Sequence, residues 1–232
     1  MNAEQMALVQ GWGHTKSALR EWNARPARVL VPWALWSLAV AVLLLLATWV
    51  IAKLSTPDTT RLFFAGVTDS SDFGDYRFVL LRNSLVLALH LLACVAGFIA
   101  GSSLPVIAHG YKGWYRKVHE IAKPLAIGFV VCATLFSLTT QAYILGHDAA
   151  TLAAQWDLTP AQLLGILSLH AVPELTALFL PLAAWTMASR RGDWQDLLAA
   201  TFFTGAVAIP VLLLAAAVEV WVTPKVILAA IA

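Results

Sequence analysis

Five stretches of this chain are nearly unbroken apolar runs, and charges return only between them. A helix crossing a bilayer needs about 20 such residues. Runs near Val29–Ile51, Phe78–Gly101, Leu125–Leu145, Ala161–Met187 and Leu197–Val222 all meet that length. The pattern predicts an all-α fold, a polytopic membrane helix bundle of about five spans. The first run, "VLVPWALWSLAVAVLLLLATWVIA", holds only Pro32 and three tryptophans as features, which suits a lipid-facing anchor with an interfacial belt. The final "KVILAAIA" is too short to cross alone.

The segments between the runs are patterned too. "EQMALVQGWGHTKSALREW" and "YKGWYRKVHEIAKP" mix apolar, aromatic and basic residues at near-helical spacing, as helices lying on a membrane surface do. The acidic "STPDTTRLFFAGVTDSSDFGDYR" reads as a loop, with Asp, Ser and Gly marking turns. In "DLTPAQ", Thr159 is placed as an N-cap, Pro160 as the first helical residue and Gln162 as the far side of a capping box. The chain thus divides into a cytoplasmic interfacial helical arm (1–28), one transmembrane helical domain (29–228) and a short tail (229–232). A polar stretch of nearly thirty residues precedes the first run, so that run reads as a signal anchor rather than a cleavable signal.

Composition agrees with this reading and narrows it. Of 232 residues, 60% are hydrophobic and only 12% charged, too apolar for a soluble domain of this length. The net charge of +2 comes without a basic face, so nucleic acid is not an expected partner. The bilayer is one, together with other membrane proteins or further copies of this chain. Basic residues gather in alternate segments: Lys16, Arg20, Arg25 and Arg28; then Lys112, Arg116, Lys117 and Lys123; then Arg190 and Arg191. That alternation puts the N-terminus inside and the C-terminus outside a prokaryotic cytoplasmic membrane. Cys94 and Cys132 lie within apolar runs and read as small buried hydrophobes.

Against this apolar background a few residues are out of place. Ionisable groups at membrane depth cost at least about 2.5–3.5 kcal/mol each, so they face the bundle interior and pair. Asn83 and His90 are seven apart and share a helical face with Leu87, Cys94, Gly97 and Gly101. Their plainer reading is hydrogen bonding to neighbouring helices, and Gly97 with Gly101 would let another helix approach closely. In "SLHAVPELTALFL", His170 and Glu174 are four apart and point the same way, while Pro173 between them is expected to kink or break the helix. Glu219 and Gln141 fall nearer the outer ends of their spans. If the spans pack in register, His90, His170 and Glu174 lie near mid-membrane beneath an outward-opening polar cavity.

A histidine with a carboxylate can bind a divalent metal, relay protons or act as acid and base. A metal would need His90 or Glu219 beside His170 and Glu174, and structural pairing is the commoner use of such groups, so no cofactor is expected. No zincin motif, nucleophile elbow or phosphate-binding loop is present, and an enzyme is not favoured. A scaffold, a transporter-like component and an intramembrane metal-dependent enzyme remain as alternatives, in that order.

The ordered features "RNSLVLALHLLACVAGFIAG", "HAVPELTALFLPLAAW" and "AAAVEVWVTPKV" together resemble the stage II sporulation protein M family. The resemblance covers roughly residues 80–228 and picks out Asn83, His170, Glu174, Glu219, Thr223 and Pro224. Ala171 and Val172 depart from it where the family has glycine after the histidine. It implies a multi-pass membrane component of a larger assembly concerned with envelope remodelling or export, with catalysis in separate proteins.

Overall fold

The computed structural model describes residues 7–103 and 113–232. Among them the regular structure is helical, with no strand beyond one isolated bridge between Ala65 and Asp69. In chain order the α-helices are α1 (Ala7–Ala24), α2 (Pro26–Leu54), α3 (Phe73–Phe98), α4 (Trp114–Gln155), α5 (Pro160–Arg191), α6 (Leu197–Ala217) and α7 (Thr223–Ile231). Two π-helical turns, Ile99–Ser103 and Val218–Val222, follow α3 and α6, and a 3-10 turn, Trp194–Asp196, precedes α6. Five helical stretches are long and apolar enough to cross a membrane, so the chain is a multi-pass, all-α membrane protein.

Helix ends follow local chemistry. Pro26 opens α2 where its missing N–H would have no helical partner. The predicted capping box opens α5: Gln162 N–H reaches Thr159 Oγ1 at 3.3 Å, and Thr159 N–H reaches Gln162 Oε1 at 2.9 Å. Between α4 and α5 the chain turns through Asp157 at φ 54°, and Leu158 N–H bonds Ala153 O at 2.8 Å, the left-handed closure usually given to glycine. The turn after α5 does use glycine, Gly192 at φ +83°.

Two expectations about helix boundaries change. The basic segment before the third span is not a separate surface helix from Trp114 onward; it is continuous with the span in a 42-residue α4 that runs through Pro124. Tyr111 and Lys112 lie outside the described residues. Pro173 does not break α5, which is helical throughout Pro160–Arg191. Membrane helices tolerate such prolines because neighbours satisfy the freed backbone groups.

The chain forms two compact units: residues 1–37, 86–134 and 178–208, and residues 38–85, 135–177 and 209–232. In the first, α1 is packed rather than merely surface-lying. Thr15 and Ala18 are buried, Trp12 meets Phe202 edge-on at 5.9 Å, and His14 Nε2 reaches Asp196 Oδ1 at 2.7 Å. Trp22, Trp33 and Phe203 join edge-to-face around Leu180, Ala184 and Ala200. Gly97 and Gly101 also lie here. A Cβ on Gly97 would stand 2.6 Å from Trp185 Nε1, and one on Gly101 would run into the Trp194 indole. The absent side chains thus leave room for Trp185 of α5 and Leu197 of α6 at Gly97, and for Trp194 at Gly101.

The second unit holds a core of Ala149, Ala150, Ala153, Trp156, Leu163 and Ile227. Small residues recur along α4 here so that Ile51 of α2 can seat on Gly146, whose own Cβ would lie 2.6 Å from it. Ile227 of α7 is fully buried in this core, whereas the tail residues 229–232 are exposed.

Candidate functional site

The polar residues of the second unit converge from three elements. On α3, Tyr76, Val79 and Asn83 follow helical spacing: Val79 packs on Ala216 and Val220, and Tyr76 stacks on Trp221 with ring centroids 5.1 Å apart. That contact holds α3 against the π turn Val218–Val222, which contains Glu219. In this turn Thr223 N–H reaches back five residues to Val218 O. The extra residue rotates the chain beyond it by about 100° relative to an α-helix, and such turns recur at functional sites. Thr223 thereby faces α5, and His170 Nδ1 lies 2.9 Å from its Oγ1.

Glu174 sits one turn beyond His170 on α5 and is buried, as are Asn83 and Thr223. It lies within electrostatic reach of Glu219 and Arg82 and beside the Asn83 amide. Arg82 Nη2 stands 4.0 Å from Glu219 Oε1, with the arginine side chain the more exposed partner. Glu219 is therefore within ion-pair reach of Arg82. Glu174 Oε2 and Asn83 Nδ2 are both buried without a hydrogen-bond partner.

Other candidates are used elsewhere. His90 belongs to the first unit, where its Nδ1 reaches Leu178 O at 2.6 Å and its ring lies 5.9 Å from Phe179. This carbonyl is next to Ala177 O, which Pro181 four residues on cannot bond. Cys94, buried and free, donates its S–H to Pro181 O at 3.2 Å. The plainer reading of His90, a bond to a neighbouring helix, is what the geometry shows. Cys132 is free but exposed, not buried as its apolar surroundings suggested. Gln141 donates to Ser137 Oγ on its own helix at 3.0 Å.

A cleft of about 380 Å³ is lined by Asp58, Arg61, Thr151, Gln155 and their neighbours, none of which belongs to this polar set. It is built by side chains of α4 that hold the loop after α2: Asp58 N–H bonds Thr151 Oγ1 at 3.1 Å, and Gln155 bonds both N–H and C=O of Leu62. Among the described residues no three His, Cys, Asp or Glu side chains are grouped to hold a metal ion.

Arg82 is the member that sequence reasoning missed. Its signal was an arginine directly before Asn83 at the head of an apolar run. No protein-family model, curated protein or solved structure matches this chain.

Proposed function

We propose that the chain is a stage II sporulation protein M-like integral membrane protein, a non-enzymatic scaffold or subunit of a larger membrane assembly in envelope remodelling or export. The observation that supports this most is the gathering of Asn83, His170, Glu174, Glu219 and Thr223, from three separate stretches of sequence, into one compact unit. These are the residues that the resemblance singles out. Two polar contacts of this group join helix to helix within the chain, His170 with Thr223 and Arg82 with Glu219. That is the use expected of a scaffold's buried polar groups. The distribution of Lys and Arg favours the prokaryotic cytoplasmic membrane with the N-terminus inside. In-membrane cross-linking followed by mass spectrometry tests the reading, which expects discrete cross-links to other membrane proteins or to a second copy.

A second reading, a transporter-like component, is favoured by the unpartnered Glu174 Oε2 and Asn83 Nδ2. It expects flux across proteoliposomes that falls in Glu174→Gln; flux that is absent, or unchanged in that variant, counts against it.

A further inference from the structure

Of the five spans, the stretch Ile127–Gln155 of α4 is the least apolar, and it is also the least covered: only 6% of its apolar part is buried by the described residues, against 22–44% in the other four. A helix left to face lipid should show the reverse order, because hydrocarbon gives polar groups no partner.

Within the second unit the two sides of α4 differ. Ala142, Gly146, Ala149 and Ala153 follow helical spacing on the buried side. Ser137, Thr140, Gln141 and Ile144 follow i, i+3, i+4, i+7 spacing on the opposite side. Ser137, Thr140 and Ile144 are exposed and Gln141 is half-buried. Gln141 stands midway along Ile127–Gln155, at the depth where an unsatisfied polar group is most costly.

Hydrogen bonding on this side is incomplete. Gln141 Nε2 donates one bond to Ser137 Oγ at 3.0 Å, which leaves its second N–H unused. Among the described residues nothing donates to Gln141 Oε1. The Thr140 hydroxyl does not make the bond to the carbonyl four residues back that Thr139, Thr186 and Thr204 make.

We propose that this face of α4 is where a second copy of the chain docks. Two copies inserted the same way in one membrane are related by a two-fold axis along the membrane normal, so each residue near the axis meets its own counterpart at the same depth. Such a face must complement itself. A glutamine amide does so, donating through Nε2 and accepting through Oε1, and serine and threonine hydroxyls also do both. No charged residue lies between Ser137 and Ile144 to call for an opposite charge on a different partner. Across the axis the two Gln141 amides exchange a reciprocal pair of N–H···O bonds. This deepens the scaffold reading, on which it rests for the existence of an assembly, by naming one partner and its face.

The test counts subunits of the full chain in liposomes by single-molecule photobleaching over a range of protein-to-lipid ratios. A dimer is expected. Its dissociation constant should rise about tenfold in Gln141→Leu, which removes both reciprocal bonds, and should not change in Tyr143→Leu, exposed on another side of α4. Should Gln141→Leu fail to fold, oxidative cross-linking decides: in a Cys132→Ser background, Ser137→Cys should form a disulfide-linked dimer and Tyr143→Cys should not. A chain that stays monomeric, a dimer indifferent to Gln141→Leu, or equal cross-linking at both positions overturns the inference. If cross-linking in the native membrane then still finds other membrane proteins, the scaffold reading stands without it.

Discussion

His170 and Thr223 are 53 residues apart in sequence and 2.9 Å apart in space, and their bond closes α5 onto the start of α7. Both side chains are buried, so removing one leaves the other without a partner. Thr223→Val is expected to destabilise the fold by about 1–3 kcal/mol. In a double-mutant cycle with His170→Ala, the pair should show a coupling of about 0.6–1.7 kcal/mol, the range seen between membrane helices. A coupling indistinguishable from zero would mean that the bond contributes nothing in the bilayer.

The glycines divide by what surrounds them. Gly97→Ala drives a methyl to 2.6 Å from Trp185 Nε1 and 2.7 Å from Leu197 Cδ1, so it should cost about 1–3 kcal/mol. Gly165 lies within α5 with nothing inside 4 Å of an added Cβ. There Gly165→Ala should instead stabilise, by about 0.5–1 kcal/mol. Unfolding of both variants in mixed detergent micelles checks the opposite signs.

How far these relationships could be read beforehand depended on their range. The five spans were legible because each is a local run, and the start of α5 because Thr159, Pro160 and Gln162 sit within four residues. The length of α4 was not, because the basic residues and Pro124 before the apolar run looked like a boundary, whereas neither charge nor a proline in a supported helix ends it. The convergence of Asn83, Glu174 and Glu219 depends on a π turn that shifts facing directions by one residue, and Pro224 was its only local trace. Arg82 escaped notice for the same reason: only packing brings Glu219 to it.

The α4–α5 turn offers a local test. Thr159→Ala removes the side-chain half of the capping box and should cost about 1 kcal/mol. Asp157→Gly relieves a left-handed conformation at φ 54° and should stabilise by a similar amount. Thermal melts of the two variants should move in opposite directions.

The loop after α2 should respond to acid. Asp58 accepts a hydrogen bond from Thr60 N–H at 3.1 Å, and that backbone bond holds its carboxyl below the ordinary value of 3.8. Because the folded value is depressed, the stabilisation is complete above about pH 4 and disappears as pH falls through the lower folded value. Hydrogen exchange at Thr60, corrected for its intrinsic pH dependence, should accelerate below that point in the natural chain. In Asp58→Asn it should lose this pH dependence.

The most direct test of the central claim is native mass spectrometry of the chain extracted from its own membranes in lipid nanodiscs. A scaffold predicts a complex of fixed stoichiometry with other membrane proteins or further copies, lost when His170→Ala loosens the bundle but retained in an exposed-loop variant such as Asp58→Asn. A lone monomer, paired with Glu174-dependent flux in proteoliposomes, would contradict the scaffold and leave transport as the function.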